Sequence, residues 1–234
     1  MTKRISIPCT GYEIAADWHE GVTDQKIILT FVGFGSSKKS NFDFMAKLVD
    51  MTGISALVVD FSGHGESPFD VDETVPAQHL LEAIRAYDWI KANYPESLIC
   101  VMGTSYGGFM AAYLTRFRSV EKIILRTPAI YEPSSFYTEH RLIDKILVRE
   151  YRKNTRALKK HPIFLQPPVS DASTLLVVHG EDKSVPTETT DIYTSAFDAQ
   201  VYTAEGFAHA FRDPANPQDG VPAYYDTLVS WLNQ

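Results

Sequence analysis

A chain of 234 residues with 44% hydrophobic and 22% charged side chains has the balance of an ordinary folded domain, which excludes intrinsic disorder and fits the length of one α/β domain. Its 22 lysines and arginines against 29 aspartates and glutamates give a net charge of −7, so the surface repels phosphate backbones and nucleic acid is excluded as a general partner. No stretch approaches the roughly 20 apolar residues of a membrane-spanning helix, and the start of the chain through Cys9 is too short and mixed for a signal peptide, so cytoplasmic residence is the expectation.

In chain order, the residues before Gly21 read as a short antiparallel hairpin turning near Thr10-Gly11. Apolar, β-branched runs follow at 26–32, 54–60, 97–102 and 121–125, and again at 174–179 and 200–203. The first four runs are continuous rather than alternating, the pattern of strands buried on both faces. Between them stand helical spacings: Met45, Leu48 and Val49; Leu80, Ile84 and Tyr87; Tyr225, Leu228, Val229 and Leu232. Alternating strand and helix imply a doubly wound, mostly parallel sheet, with helices on both faces, right-handed crossovers and the hairpin at one edge. Residues 1–234 are therefore expected to form one domain. Two cysteines make no disulfide framework, and Cys100, inside an apolar run, reads as a buried inert thiol.

The alternation lapses at 131–170, a stretch with no strand that closes on Pro162, Pro167 and Pro168; it is expected to be a small helical cap inserted in the domain. Residues 139–160 carry eight lysines or arginines against three acidic residues. Arg141, Lys145, Arg149, Lys153, Arg156 and Lys160 recur at intervals of three or four, with Ile143, Leu147 and Tyr151 on another side. Two readings stay open: a solvated basic face, or a face that attracts anionic substrates.

The strongest local signal is Gly103-Thr104-Ser105-Tyr106-Gly107-Gly108, placed directly after an apolar run and before a segment of small residues. A serine on such a strand-to-helix turn is exposed by a strained backbone, and the glycines allow close approach of strand and helix. A serine hydroxyl requires a base. Among seven histidines, His209 in Gly206-Phe207-Ala208-His209 is expected in the loop after the last strand, where open α/β sheets gather functional groups. His179 ends its own strand and is expected to be hydrogen-bonded beside the sheet. His19, His64, His79, His140 and His161 read as structural or solvated. Asp182, in the loop after the preceding strand, is placed to hold the base, with Glu181 pointing elsewhere; its alternative role is to cap the helix beginning near Pro186. The turn Val32-Gly33-Phe34-Gly35 offers a second amide beside that of Tyr106, so the backbone N–H groups of Phe34 and Tyr106 are the expected oxyanion donors.

Together with Asp60-Phe61-Ser62-Gly63-His64-Gly65-Glu66-Ser67 and His179-Gly180-Glu181-Asp182, these motifs in this order resemble the α/β-hydrolase superfamily over nearly the whole chain. Within it the chain looks like the small-cap serine hydrolases, the group of carboxylesterases, monoacylglycerol lipases and serine aminopeptidases. The resemblance implies Ser105 as nucleophile, Asp182 as acid, His209 as base, a structural role for the turn at 60–67, and no metal or organic cofactor. Many relatives carry His-Gly where this chain has Val32-Gly33. The implied reaction is cleavage of a small-molecule carboxylic ester of small to medium acyl groups through an acyl-enzyme, with Phe34, Tyr106 and the cap lining the acyl pocket. A thioesterase or acyltransferase using an anionic carrier, a small-peptide hydrolase, and an inactive binding module stand as alternatives, and the oligomeric state is left open.

Overall fold

Strands β1 (Thr2–Pro8) and β2 (Glu13–His19) pair antiparallel, with Thr2 opposite His19 and Pro8 opposite Glu13, which is the expected hairpin. β2 lies antiparallel to β4 (Ile54–Val59), and from there the sheet continues in parallel through β3 (Thr23–Phe31), β5 (Leu98–Thr104), β6 (Lys122–Arg126), β7 (Ser173–Glu181) and β8 (Gln200–Ala208). The spatial order is β1-β2-β4-β3-β5-β6-β7-β8, so the hairpin occupies one edge and β8 the other. The computed structural model describes residues 1–166, 168–210 and 220–234, which leaves Pro167 outside the described residues.

Burial on both faces explains the unbroken apolar runs. In β3, Ile27, Leu29 and Phe31 pack into one core with α2 (Pro76–Asn93), α3 (Tyr106–Leu114) and α7 (Thr187–Ala196). Ile28 and Val32 face the opposite core, shared with α1 (Phe42–Thr52) and α8 (Val221–Asn233). Sheet and helices thus form three layers, and the loops at the carboxyl ends of the parallel strands gather along one rim. Cys100 is buried in β5, as expected.

Between β6 and β7 the chain forms short 3₁₀ turns and three short helices, α4 (Lys145–Lys153), α5 (Thr155–Leu158) and α6 (Pro162–Leu165). The Asp144 carboxylate accepts from the Ile146 and Leu147 amides at 2.7 and 3.3 Å and so fixes where α4 starts. That start sets a phase different from the expected one. Val148 is the buried residue of α4, 7% exposed, whereas Leu147 is 60% exposed and turned outward. Among the described residues no helix is long and apolar enough to cross a membrane.

Candidate active site

Ser105 stands between β5 and α3 with φ 51° and ψ −114°, a conformation that L-residues rarely adopt. The turn is locked from both sides. The Ser105 amide donates to the Arg126 carbonyl of β6 at 2.9 Å, and the Ser105 carbonyl accepts from Ala129 at 2.9 Å and from Phe109 at 3.1 Å. A Cβ on Gly103 would lie 2.2 Å from the Gly107 carbonyl oxygen, and one on Gly107 would lie 2.2 Å from that of Phe31. Both positions therefore require glycine, because α3 rests directly on the main chain of β5 and β3.

The structure brings Ser105, His209 and Asp182 together. Ser105 Oγ lies 2.9 Å from His209 Nε2, and His209 Nδ1 lies 2.7 Å from Asp182 Oδ2. A carboxylate only accepts, so Nδ1 carries the proton and Nε2 is left to receive that of the serine. Asp182 reaches the base as expected, but it does not cap α7, which begins after Pro186 without a side-chain cap. Its second oxygen, Oδ1, accepts from the Ser184 and Val185 amides at 2.7 and 3.0 Å, which pins the turn leading into α7. The side chain is only 5% exposed. Burial pushes the Asp182 carboxyl up, but the hydrogen bonds from His209, Ser184 and Val185 outweigh it and hold the group below the ordinary value. It is thus ionised at neutral pH.

β8 extends further than the sequence pattern indicates. It runs through Ala208, so Gly206 to Ala208 belong to the strand and His209 is the first residue beyond it. His179 stands beside the sheet, as expected, and holds that strand end in place. Arg126 Nε donates to the Tyr224 hydroxyl at 2.7 Å, that hydroxyl lies 3.0 Å from His179 Nε2, and His179 Nδ1 lies 2.8 Å from the Ala208 carbonyl. The carbonyl requires a proton on Nδ1, so Tyr224 donates to Nε2 of a neutral ring. Burial, reinforced by the nearby Arg126 charge, pushes His179 down to about 4.

The Gly33-Phe34 turn adjoins the serine: a Cβ on Gly33 would lie 3.6 Å from the Ser105 Cβ. Neither the Phe34 nor the Tyr106 amide has an acceptor among the hydrogen bonds of the described residues. The Tyr106 ring corrects an expectation. It does not line a pocket but is wholly buried behind the elbow, because its hydroxyl is held 2.7 Å from His79 Nδ1 and, more distantly, 3.4 Å from His140 Nε2.

His79 Nε2 in turn lies 3.1 Å from the Ser62 carbonyl, as does His64 Nδ1. Ser62 is bound through its amide and hydroxyl to the buried Glu82, which also accepts from Tyr12 at 2.7 Å. The Phe34 ring packs against His64, Tyr106 and His140 with centroids 5.5, 5.8 and 4.8 Å away. Desolvation keeps these histidines neutral, driving His79 well below its usual value and His140 to about 4. Sequence reasoning left His64, His79 and His140 as unrelated residues; the fold makes them one support behind the two amides.

The turn at 60–67 is structural, as the resemblance implies. Buried Asp60 accepts from the Lys38 and Glu66 amides at 2.6 and 3.0 Å, and Ser67 Oγ donates to the Asp60 carbonyl.

A hydroxyl bonded to an imidazole that a buried carboxylate orients can act as a nucleophile at neutral pH. Placed at the rim of this sheet, it defines a serine hydrolase of the α/β-hydrolase superfamily. Residues 23–163 match the family described as serine aminopeptidase, S33, and the chain belongs to that family. Among solved structures, a predicted CIB-like hydrolase from Thermoplasma acidophilum superposes with a TM-score of 0.68 at 20% identity, covering 100% of this chain and 98% of that one. The esterase Pf2001 of Pyrococcus furiosus gives 0.70 at 18% identity over 99% and 92% of the two chains. Est1E from Butyrivibrio proteoclasticus gives 0.71 at 12% identity over 98% and 97%. At these identities the likeness is one of fold. No curated protein matches the chain.

Proposed function

We propose that the protein hydrolyses carboxylic esters of small to medium acyl groups through an acyl-enzyme. Ser105 Oγ attacks the ester carbonyl while His209 Nε2 takes its proton, and Asp182 stabilises the resulting imidazolium. The Phe34 and Tyr106 amides receive the negative oxygen of the tetrahedral intermediate. His209 then protonates the departing alcohol, and a water activated by the same ring releases the acid. Residues 1–234 act as one domain, with 131–170 as the cap over the site. The observation that carries this reading is the continuous series from Ser105 Oγ through His209 to Asp182, at 2.9 and 2.7 Å. A cavity of about 250 Å³ beside Phe34, smaller than the roughly 300–1,000 Å³ that drug-sized ligands occupy, supports a substrate of this size.

The test is a series of p-nitrophenyl esters of graded chain length, assayed with wild type and Ser105→Ala, together with labelling by a fluorophosphonate. Short and medium esters are expected to be hydrolysed, with a loss of at least about 10³-fold in Ser105→Ala and labelling confined to Ser105. Equal turnover by the two proteins would refute the mechanism. Since the family takes its description from an aminopeptidase, amino-acid p-nitroanilides belong in the same series; faster cleavage of these than of any ester would overturn the ester assignment.

A further inference from the structure

The cavity beside Phe34 points to the charge of the substrate. We infer that it receives a carboxylate or phosphate carried a short arm away from the scissile carbonyl, so that the preferred substrates are anionic. This rests on the hydrolase reading above and adds the substrate's charge to it.

The cavity adjoins the reacting centre through Phe34, whose amide is a proposed oxyanion donor, and Ser184, whose amide holds Asp182. Among the described residues four cations line it. Lys145, Arg149 and Arg152 recur at i, i+4 and i+7 and so share one face of α4, while Lys183 comes from the loop between β7 and α7. Among the described residues no acidic one lines the space. Among the described residues none of the four has a carboxylate within ion-pair distance. The carboxylate nearest in sequence to Lys183, that of Asp182, is turned toward His209, Ser184 and Val185. Elsewhere in the same insertion, Arg141 is paired with Glu139 at 2.6 Å and Lys153 with Glu150 at 3.8 Å.

A solvated basic face would leave its cations spread over a helix surface. Here two separate segments converge four of them on one concavity, in a chain whose net charge is −7. Their mutual repulsion is relieved by an anion placed among them, and the low-dielectric walls concentrate the field. Arg152 is moreover fixed in advance. Its Nε donates to the Ile130 carbonyl at 3.0 Å, its Nη1 to the Ser184 carbonyl at 3.1 Å, and it lies 5.1 Å from the centroid of the Tyr131 ring. Those partners are all neutral, so they orient the guanidinium without cancelling its charge.

The experiment compares two matched pairs of substrates: p-nitrophenyl hydrogen glutarate with its neutral methyl ester, and acetyl-coenzyme A with the uncharged acetyl thioester of N-acetylcysteamine. At low ionic strength kcat/KM is expected to favour the anionic member of at least one pair by about tenfold or more. That ratio should fall toward one in 0.5 M salt and in the exposed charge-reversal variant Lys145→Glu with Arg149→Glu. A response in the glutarate pair places the anion on the acyl side, and one in the coenzyme A pair on the leaving side. The ratio is internal to each protein and so does not depend on the fraction folded. Equal kcat/KM within both pairs, or a preference that survives charge reversal, overturns the inference while leaving the hydrolase reading intact. No turnover of any neutral ester, together with no fluorophosphonate labelling of Ser105, defeats that reading and this one with it.

Discussion

Replacing Ser105 by glycine should give a more stable protein than replacing it by alanine, the reverse of the usual order. Both substitutions remove Oγ and its bond to His209, so the difference between them isolates the backbone. At an ordinary position glycine is the less stable by about 0.5–1 kcal/mol, because its unfolded chain has more freedom to lose. Ser105, however, holds φ 51° and ψ −114°, a conformation that costs a residue with a Cβ about 1–3 kcal/mol. Alanine retains that strain and glycine relieves it. The balance favours glycine by about 1 kcal/mol, or about 2–4 °C in Tm for a chain of this length. Calorimetry of the two variants, both without esterase activity, provides the measurement. An alanine variant as stable as the glycine variant, or more so, would show that the elbow stores no strain.

Asp182→Asn keeps an oxygen for the Ser184 and Val185 amides but removes the acceptor that fixes the proton on His209 Nδ1; kcat on p-nitrophenyl esters should fall about 10⁴-fold, and a loss under tenfold would mean that His209 needs no such partner. Tyr224→Phe leaves the buried Arg126 Nε and His179 Nε2 without this hydroxyl and should destabilise the protein by about 2 kcal/mol, read from urea denaturation; a change below about 0.5 kcal/mol would show that the relay holds nothing. Stability should also fall with pH below about 6.5. Burial holds His140, His161 and His179 near 4, so between those values the unfolded chain binds more protons than the native one, and each histidine withdraws up to about 3 kcal/mol by the lower limit. Urea midpoints that stay constant from pH 7.5 to pH 5 would contradict that burial.

Strands buried on both faces leave unbroken apolar runs, which is why the five inner parallel strands, β3 to β7, were legible, and the residues of the elbow are ones that strand-to-helix packing requires. The limits of β8 were less legible, since Glu205 and Gly206 interrupt its apolar pattern although the backbone continues to Ala208. The phase of α4 depended on the Asp144 cap. With basic and apolar residues interleaved over nine positions, burying Leu147 or Val148 fits the spacing equally well, and only the cap decides between them. Arg152 fell outside the basic series for the same reason. His64, His79 and His140 converge on Tyr106 and Phe34 from three distant segments. Each is a lone histidine in its own surroundings, so no local pattern announces the cluster.

The close fit of Gly107 against the Phe31 and Val32 carbonyls reaches beyond steric tolerance. Those two residues lead straight into Gly33 and Phe34, so the serine and the amide proposed to meet its oxyanion are joined through touching main chain, with no side chain as spacer. Substitutions lining the cavity can therefore retune which molecule is accepted while the distance between attack and charge stabilisation stays the same.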